Sequence, residues 1–261
     1  MAQTTQIREL TATVAGCELR ATAGGEGPPV VVLDHSIADR RWHGVHDALA
    51  QQFTVHALDL PGFNRGPRPD WARDVRDLAL LVAGYLRKQV GTRALLVGSE
   101  FGGWVAAEVA VLAPDVVRGL ALVGSAGLLP AEGRIVDMML TSHSGYARDC
   151  FSSDDAYDTF FEGGLTDDRL LTWDFNREMV ARVAWKPYMY NRRLAPMLAE
   201  VTAPAVVVRG SADRIVPQSC ADQFIRLLPN ATFEVVDGCG NAVALEQPEA
   251  LASFVGALAA R

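Results

Sequence analysis

Residues 95–104 read Leu-Leu-Val-Gly-Ser-Glu-Phe-Gly-Gly-Trp. An apolar run leads into Gly98, and a stretch rich in small residues runs from Gly102 to Leu112, so the segment reads as a buried strand turning sharply into a helix. Such a turn lifts its central side chain to the top of a sheet. It needs glycine two residues to either side, because the turn crowds its neighbours. Gly98 and Gly102 centre it on Glu100; a turn centred on Ser99 would be flanked by Val97 and Phe101. A carboxylate therefore stands where turns of this kind hold a nucleophile. Buried there, it can move a proton, attack an electrophile or anchor a ligand.

Three other segments carry polar groups at the ends of apolar runs: Asp34-His35-Ser36, Gly210-Ser211-Ala212-Asp213, and Gly238-Cys239-Gly240-Asn241. His43, His46, His56 and His143 read as surface or core histidines, Cys239 as a small core filler, and Trp104 as a residue that packs beneath the turn. Cys17, Cys150, Cys220 and Cys239 are scattered, without metal-ligand spacing, and read as reduced thiols. No metal or organic cofactor is implied.

These groups must be positioned by alternating strands and helices. Val30–Leu33, Phe53–Leu60, Arg93–Gly98, Val117–Gly124, Val206–Arg209 and Thr232–Val236 are short continuous apolar runs, as expected of parallel strands buried on both faces. Ile7–Val14 and Cys17–Ala23 alternate and predict an antiparallel hairpin at the sheet edge. A helix capped by Asp70 carries Val75, Leu78, Val82 and Tyr85 on one face; Gln218–Leu228 and Pro248–Ala260 are the last two helices. The alternation predicts a doubly wound, mostly parallel sheet of eight strands in one domain spanning 1–261. From about Ala126 to Glu200 the strand signal stops, and the sequence becomes rich in Met and aromatic residues. That stretch reads as a helical lid insertion, with Trp185 and Tyr188 as candidate pocket-lining residues.

With 261 residues, 49% hydrophobic, and a net charge of -7, the chain has material for a large core and no basic footprint for nucleic acid or an anionic membrane. Met1 to Leu10 lacks a basic segment followed by an apolar one, and no apolar run is long enough to span a bilayer. The expectation is a cytoplasmic protein acting on a hydrophobic small molecule.

The motifs together resemble the α/β-hydrolase superfamily, in particular bacterial meta-cleavage-product hydrolases and epoxide hydrolases. The resemblance covers essentially the whole chain. It rests on the Glu100 turn, on Asp59-Leu60-Pro61-Gly62-Phe63, on Gly210 to Pro217, and on Gly238 to Asn241 with Glu246-Gln247-Pro248-Glu249. It implies an α/β-hydrolase fold with a helical lid. It also implies that Asp213 holds the place of the family's triad acid and Asn241 the place of its catalytic histidine. Glu100 then stands in place of serine, and His35-Ser36 in place of the family's His-Gly pair. Backbone donors of an oxyanion hole would come from Phe101 and from Ile37 or nearby.

Without serine and histidine at those two places, ester hydrolysis by the Ser-His-Asp route is not expected. The leading expectation is acid/base catalysis by Glu100 in an elimination, isomerisation, ring closure or epoxide opening. His35 would assist, Asp213 and Asn241 would orient ligand or water, and Asp34 and Ser36 would line the site. The resemblance also implies a covalent alternative, with Glu100 as nucleophile as in epoxide hydrolases. A third reading is a non-catalytic ligand-binding protein. A place in specialised metabolism fits the altered turn by fold-level analogy.

Overall fold

The computed structural model describes residues 6–162 and 164–261. The first five residues of the Met1–Leu10 segment, and Gly163, lie outside the described residues. Strands β1 (Arg8–Val14) and β2 (Cys17–Gly24) form the antiparallel hairpin. The remaining strands are β3 (Pro29–Leu33), β4 (Thr54–Leu58), β5 (Ala94–Ser99), β6 (Val117–Val123), β7 (Ala205–Gly210) and β8 (Ala231–Val236). They form one eight-stranded sheet in the order β1-β2-β4-β3-β5-β6-β7-β8, parallel from β4 through β8. This is the α/β-hydrolase architecture the motifs predict.

The β-branched runs are buried on both sides because helices cover both sheet faces. Successive residues alternate between the two layers. Val31, Leu33 and Leu96 join the core under α2 (Val75–Tyr85) and α3 (Phe101–Leu112). Val30, Val32, Leu95 and Val97 join the core under α1 (Gly44–Ala50) and the final helix, Pro248–Ala259.

Two helical features differ from the sequence reading. The cap of α2 is Asp74, not Asp70. The Asp74 carboxylate accepts the Arg76 and Asp77 N–H groups, and the Asp77 carboxylate accepts the Asp74 N–H, closing a capping box. Helix α1, absent from that reading, is seven residues long and buries Val45, Ala48 and Leu49. Between β6 and β7 lie α4 (His143–Asp149), α5 (Asp154–Phe160), α6 (Asp167–Ala184) and α7 (Leu194–Met197). Helices α8 (Gln218–Leu227), α9 (Val243–Glu246) and α10 (Pro248–Ala259) complete the chain.

The topology gathers the polar segments at one end of the sheet. His35 follows β3, Glu100 follows β5, Asp213 follows β7 and Asn241 follows β8. All four lie beyond the carboxyl ends of parallel strands, where open α/β sheets bind ligands. The turn at Glu100 depends on close backbone approach. A Cβ on Gly102 would overlap the Leu33 carbonyl, and one on Gly98 would lie 2.5 Å from the Gly102 oxygen. Both obstacles are backbone and cannot rotate away. Gly102→Ala is therefore expected to cost about 3 kcal/mol of stability by overpacking, read as a lowered denaturant midpoint. An unchanged midpoint would show that the turn relaxes.

Candidate active site

Glu100 occupies the turn at φ 50° and ψ −108°, a strained backbone for a residue with a Cβ. Three hydrogen bonds hold it: its N–H donates to Val123 O at 2.9 Å, and its carbonyl accepts from Trp104 N–H at 3.3 Å and Ala126 N–H at 3.2 Å. The side chain is fully buried. Tyr146 Oη, from α4, donates to Glu100 Oε1 at 3.3 Å, and Ser36 N–H donates to Oε2 at 3.4 Å. His35 Nδ1 lies 4.0 Å from Oε2.

The protonation pattern of His35 can be read outward from Asn241. Asn241 Nδ2 donates to Asp213 Oδ2 at 2.8 Å and to Gly124 O at 3.0 Å, so both amide hydrogens are committed. Gly124 makes this approach possible: it has φ 50°, and a Cβ there would lie 2.5 Å from Nδ2. Asn241 Oδ1 is left as an acceptor, and His35 Nε2 sits 2.8 Å from it. The ring proton is thus on Nε2. Ile37 N–H donates to the other nitrogen, Nδ1, at 3.3 Å, and Ser36 Oγ lies 3.5 Å from it. The Ile37 N–H, which can only donate, assigns a lone pair to Nδ1, on the side of Glu100.

Asp213 anchors the far end. Its Oδ1 accepts from the Ile215 and Val216 N–H groups at 2.8 and 3.0 Å. Burial pushes its carboxyl pKa up, against the lowering effect of these bonds and of Asn241. The chain of contacts runs Asp213, Asn241, His35, Glu100, with an amide in the second place.

Inserted helix α6 fixes the loop that carries His35. Trp173 Nε1 donates to Ile37 O at 2.7 Å, and Asn176 Nδ2 donates to Ser36 O at 2.9 Å. A small cavity of about 20 Å³ lies here, lined by Ser36, Ile37, Met138, His143, Tyr146, Trp173 and Arg177. Arg177 Nη1 donates to Thr141 O at 3.1 Å, and burial lowers the pKa of its guanidinium. His143 Nε2 is 2.8 Å from Asp174.

Other candidates lie elsewhere. Ile37 N–H is committed to His35, so the loop donor that faces Glu100 is Ser36 N–H. Phe101 N–H, at the start of α3, has no partner among the described residues. Asp34 turns aside, with Oδ2 at 3.3 Å from His46 Nε2. Trp185 is 48% exposed on the outer surface. Tyr188 Oη accepts Met138 N–H and donates to Val136 O. Neither aromatic residue is among those lining the pocket.

Beyond Trp173, Asn176 and Arg177 of α6, the residue that sequence reasoning missed is Tyr146. It sits in a segment without helical or strand periodicity; Ser142, which caps α4, is the only local cue to the helix that aims it. Burial, and next the Glu100 charge, push its phenol pKa well up. Cys150, fully buried nearby, is raised by the same two causes. Among the described residues, no group of His, Cys, Asp and Glu has a geometry that would hold a metal ion.

The loop after β3 is braced by a second pair, His43 Nε2 with Asp39 Oδ1 at 3.3 Å. Burial disfavours the His43 cation, but the bond to Asp39 and the charges of Asp34 and Asp39 outweigh it, leaving its pKa above the ordinary 6.5. A histidine pKa raised on folding contributes stability fully below 6.5, and this is lost as pH rises through the folded value. The stability gap between the parent protein and His43→Gln should therefore be larger at about pH 6 than at about pH 9 in urea denaturation. A gap that grows with pH would contradict the assignment.

A model described as "Alpha/beta hydrolase family" matches residues 30–254. The chain is 26% identical to a 2-hydroxy-6-oxo-6-(2'-aminophenyl)hexa-2,4-dienoic acid hydrolase of Metapseudomonas resinovorans over 257 residues, covering 91% of this chain and 86% of that protein. It is 30% identical to a pimeloyl-[acyl-carrier protein] methyl ester esterase of Nitrosomonas europaea over 251 residues, covering 90% and 96%. Among solved structures, a 2-hydroxy-6-oxo-6-phenylhexa-2,4-dienoate hydrolase from Rhodococcus sp. strain RHA1 superposes with a TM-score of 0.79 at 20% identity, over 99% of this chain and 100% of that one. An epoxide hydrolase superposes with a TM-score of 0.76 at 20% identity, over 98% and 99%. At that identity the structural likeness speaks for the fold alone. By the match over most of its length, the chain belongs to the α/β-hydrolase family.

Proposed function

We propose that this chain is an enzyme in which Glu100 serves as acid/base on a hydrophobic small molecule, under a lid formed by the helices between β6 and β7. The observation that carries the reading is the setting of Glu100: fully buried, partnered by the Tyr146 hydroxyl and the Ser36 N–H, and faced by the His35 Nδ1 lone pair. A carboxylate so held is pre-positioned, because its donors fix the direction of both oxygens before a ligand arrives. Proton removal from the ligand leaves negative charge behind, and the Arg177 guanidinium on the pocket wall is placed to counter it. Asn241 has no ionisable proton at neutral pH, so a proton shared between Glu100 and His35 goes no further toward Asp213. Asp213 and Asn241 therefore act as positioning residues for His35. A cavity of about 20 Å³ has room for about one water molecule, so a substrate must displace the inserted helices to reach it.

A second reading is kept because a histidine does lie beside the carboxylate. In it, a Glu100 oxygen attacks an epoxide carbon, the ring C–O bond breaks, and the alkoxide takes up a proton. Water deprotonated at His35 Nδ1 then hydrolyses the glutamyl ester. This reading predicts a mass increase on the Glu100 peptide equal to that of the substrate.

The test incubates cyclic ketones, enones and epoxides with the enzyme in D2O, and follows deuterium incorporation and products by mass spectrometry. Glu100→Gln should reduce turnover by roughly 10²–10⁴-fold, while the compound still shifts the thermal midpoint of the variant. Turnover by Glu100→Ala at the parent rate would overturn both readings. Retention of the compound without exchange, product or adduct would make the protein a binding protein instead.

A further inference from the structure

A second concavity lies on the outer surface, apart from Glu100. It has a volume of about 860 Å³ and forms where the start of α2, the first turn of α3, the end of α6 and the segment 185–193 meet. Its lining holds six cations and one acid, Asp74, whose carboxylate is taken up in capping α2. The chain as a whole carries a net charge of -7, so this concentration of positive charge runs against its composition. Arg182 reaches across to Asp70 O at 2.9 Å, and Arg76 Nε lies 3.6 Å from Glu108. Arg73, Lys186, Arg192 and Arg193 make no ion pair with a carboxylate among the described residues. Four long cationic arms around one hollow repel each other unless an anion joins them.

The floor is built rather than incidental. Glu108, 1% exposed, accepts from Trp104 Nε1 at 3.2 Å and from Asn191 Nδ2 at 2.7 Å, which ties α3 to the segment that carries Arg192 and Arg193. Beside the cations stands Trp185, 48% exposed and held edge-to-face on Tyr188 at 6.1 Å and 81°. The Tyr188 hydroxyl is fixed at both ends by backbone, so the indole rests on a braced support. The hollow thus joins a fixed aromatic plate to a cluster of cationic side chains. Arginine forks match phosphate oxygens, and an exposed indole stacks on a planar base.

From this juxtaposition we propose that the groove binds a nucleotide carrying a polyphosphate, with the base on Trp185 and the phosphates among Arg73, Lys186, Arg192 and Arg193. The size agrees: a volume of about 860 Å³ falls in the upper range of small-molecule sites. An acidic protein helix would satisfy the cations but would bring no planar group to the indole. The bound nucleotide would span body helices α2 and α3 and the end of inserted helix α6. It would therefore hold the inserted helices against the helix that follows Glu100.

The experiment is calorimetric titration of the intact protein with adenosine diphosphate, with inorganic pyrophosphate and an oligoglutamate peptide in parallel. Adenosine diphosphate should bind with a Kd of about 10–100 μM at low salt, weakening as salt rises. Pyrophosphate, which lacks the base, should bind at least about tenfold more weakly. Trp185→Ala and the double variant Arg192→Ala/Arg193→Ala should each weaken adenosine diphosphate about tenfold or more. All of these side chains are exposed, and unchanged circular dichroism would show that the variants fold. No binding of adenosine diphosphate at millimolar concentration would overturn the proposal, as would binding that ignores both variants. Pyrophosphate binding as tight as adenosine diphosphate, or binding of oligoglutamate alone, would replace it with a plain anion or acidic-protein surface.

Discussion

A backbone turned to φ 50° at a non-glycine residue is the constraint from which the site follows. The turn persists because its surroundings over-determine it. Gly98 and Gly102 let the two backbone segments meet, and Val123 and Ala126, at and beyond the end of β6, bond the Glu100 backbone on both sides. With the backbone fixed, the carboxylate can point only into the space between the loop after β3 and helix α4. It meets Ser36 N–H from the first and Tyr146 from the second. A residue one methylene longer than aspartate fills that space, and its oxygens end beside the His35 ring.

The second determinant is an amide. Asn241 stands where the resemblance to α/β-hydrolases implies a histidine, and it takes part in the network without titrating. Because Asp213 and Gly124 consume both its hydrogens, it presents an acceptor to His35 and thereby selects the ring tautomer. The histidine nearest the turn is thus carried by the loop after β3, not by the loop after β8, and it lies beside a carboxylate rather than a hydroxyl. Helix α6 then holds that loop through Trp173 and Asn176. His35, Glu100 and Asn241 are buried, so each lost partner among them would leave a polar group in a medium that cannot solvate it.

Local spacing made part of this legible. Gly98 and Gly102 located the turn without any structure, because steric crowding is written in the residues that relieve it. Strand runs such as Val30–Leu33 were readable because strands buried on both faces need no polar alternation. The pairing of His35 with Asn241 was not readable, since it crosses 206 positions and depends on which strands become neighbours. Tyr146 was hidden for a related reason: α4 is seven residues long and offers too little periodicity to show which side chain faces inward. Trp185 shows the converse. Aromatic enrichment marked its segment correctly as unusual, but composition carries no direction, and this ring faces outward. At α2, Asp70 and Asp74 were equivalent as capping residue types; the reciprocal bond with Asp77 decides for the second.

The claim on which this picture rests is that Asn241 sets His35 with its proton on Nε2 and its lone pair on Nδ1, toward Glu100. Nitrogen-15 NMR of the labelled histidine rings, with the His35 signals assigned by His35→Gln, reads this directly near neutral pH. Nε2 is expected to be protonated and Nδ1 unprotonated, with the pattern lost in Asn241→Leu. A proton found on Nδ1 of His35 in the parent protein would contradict it.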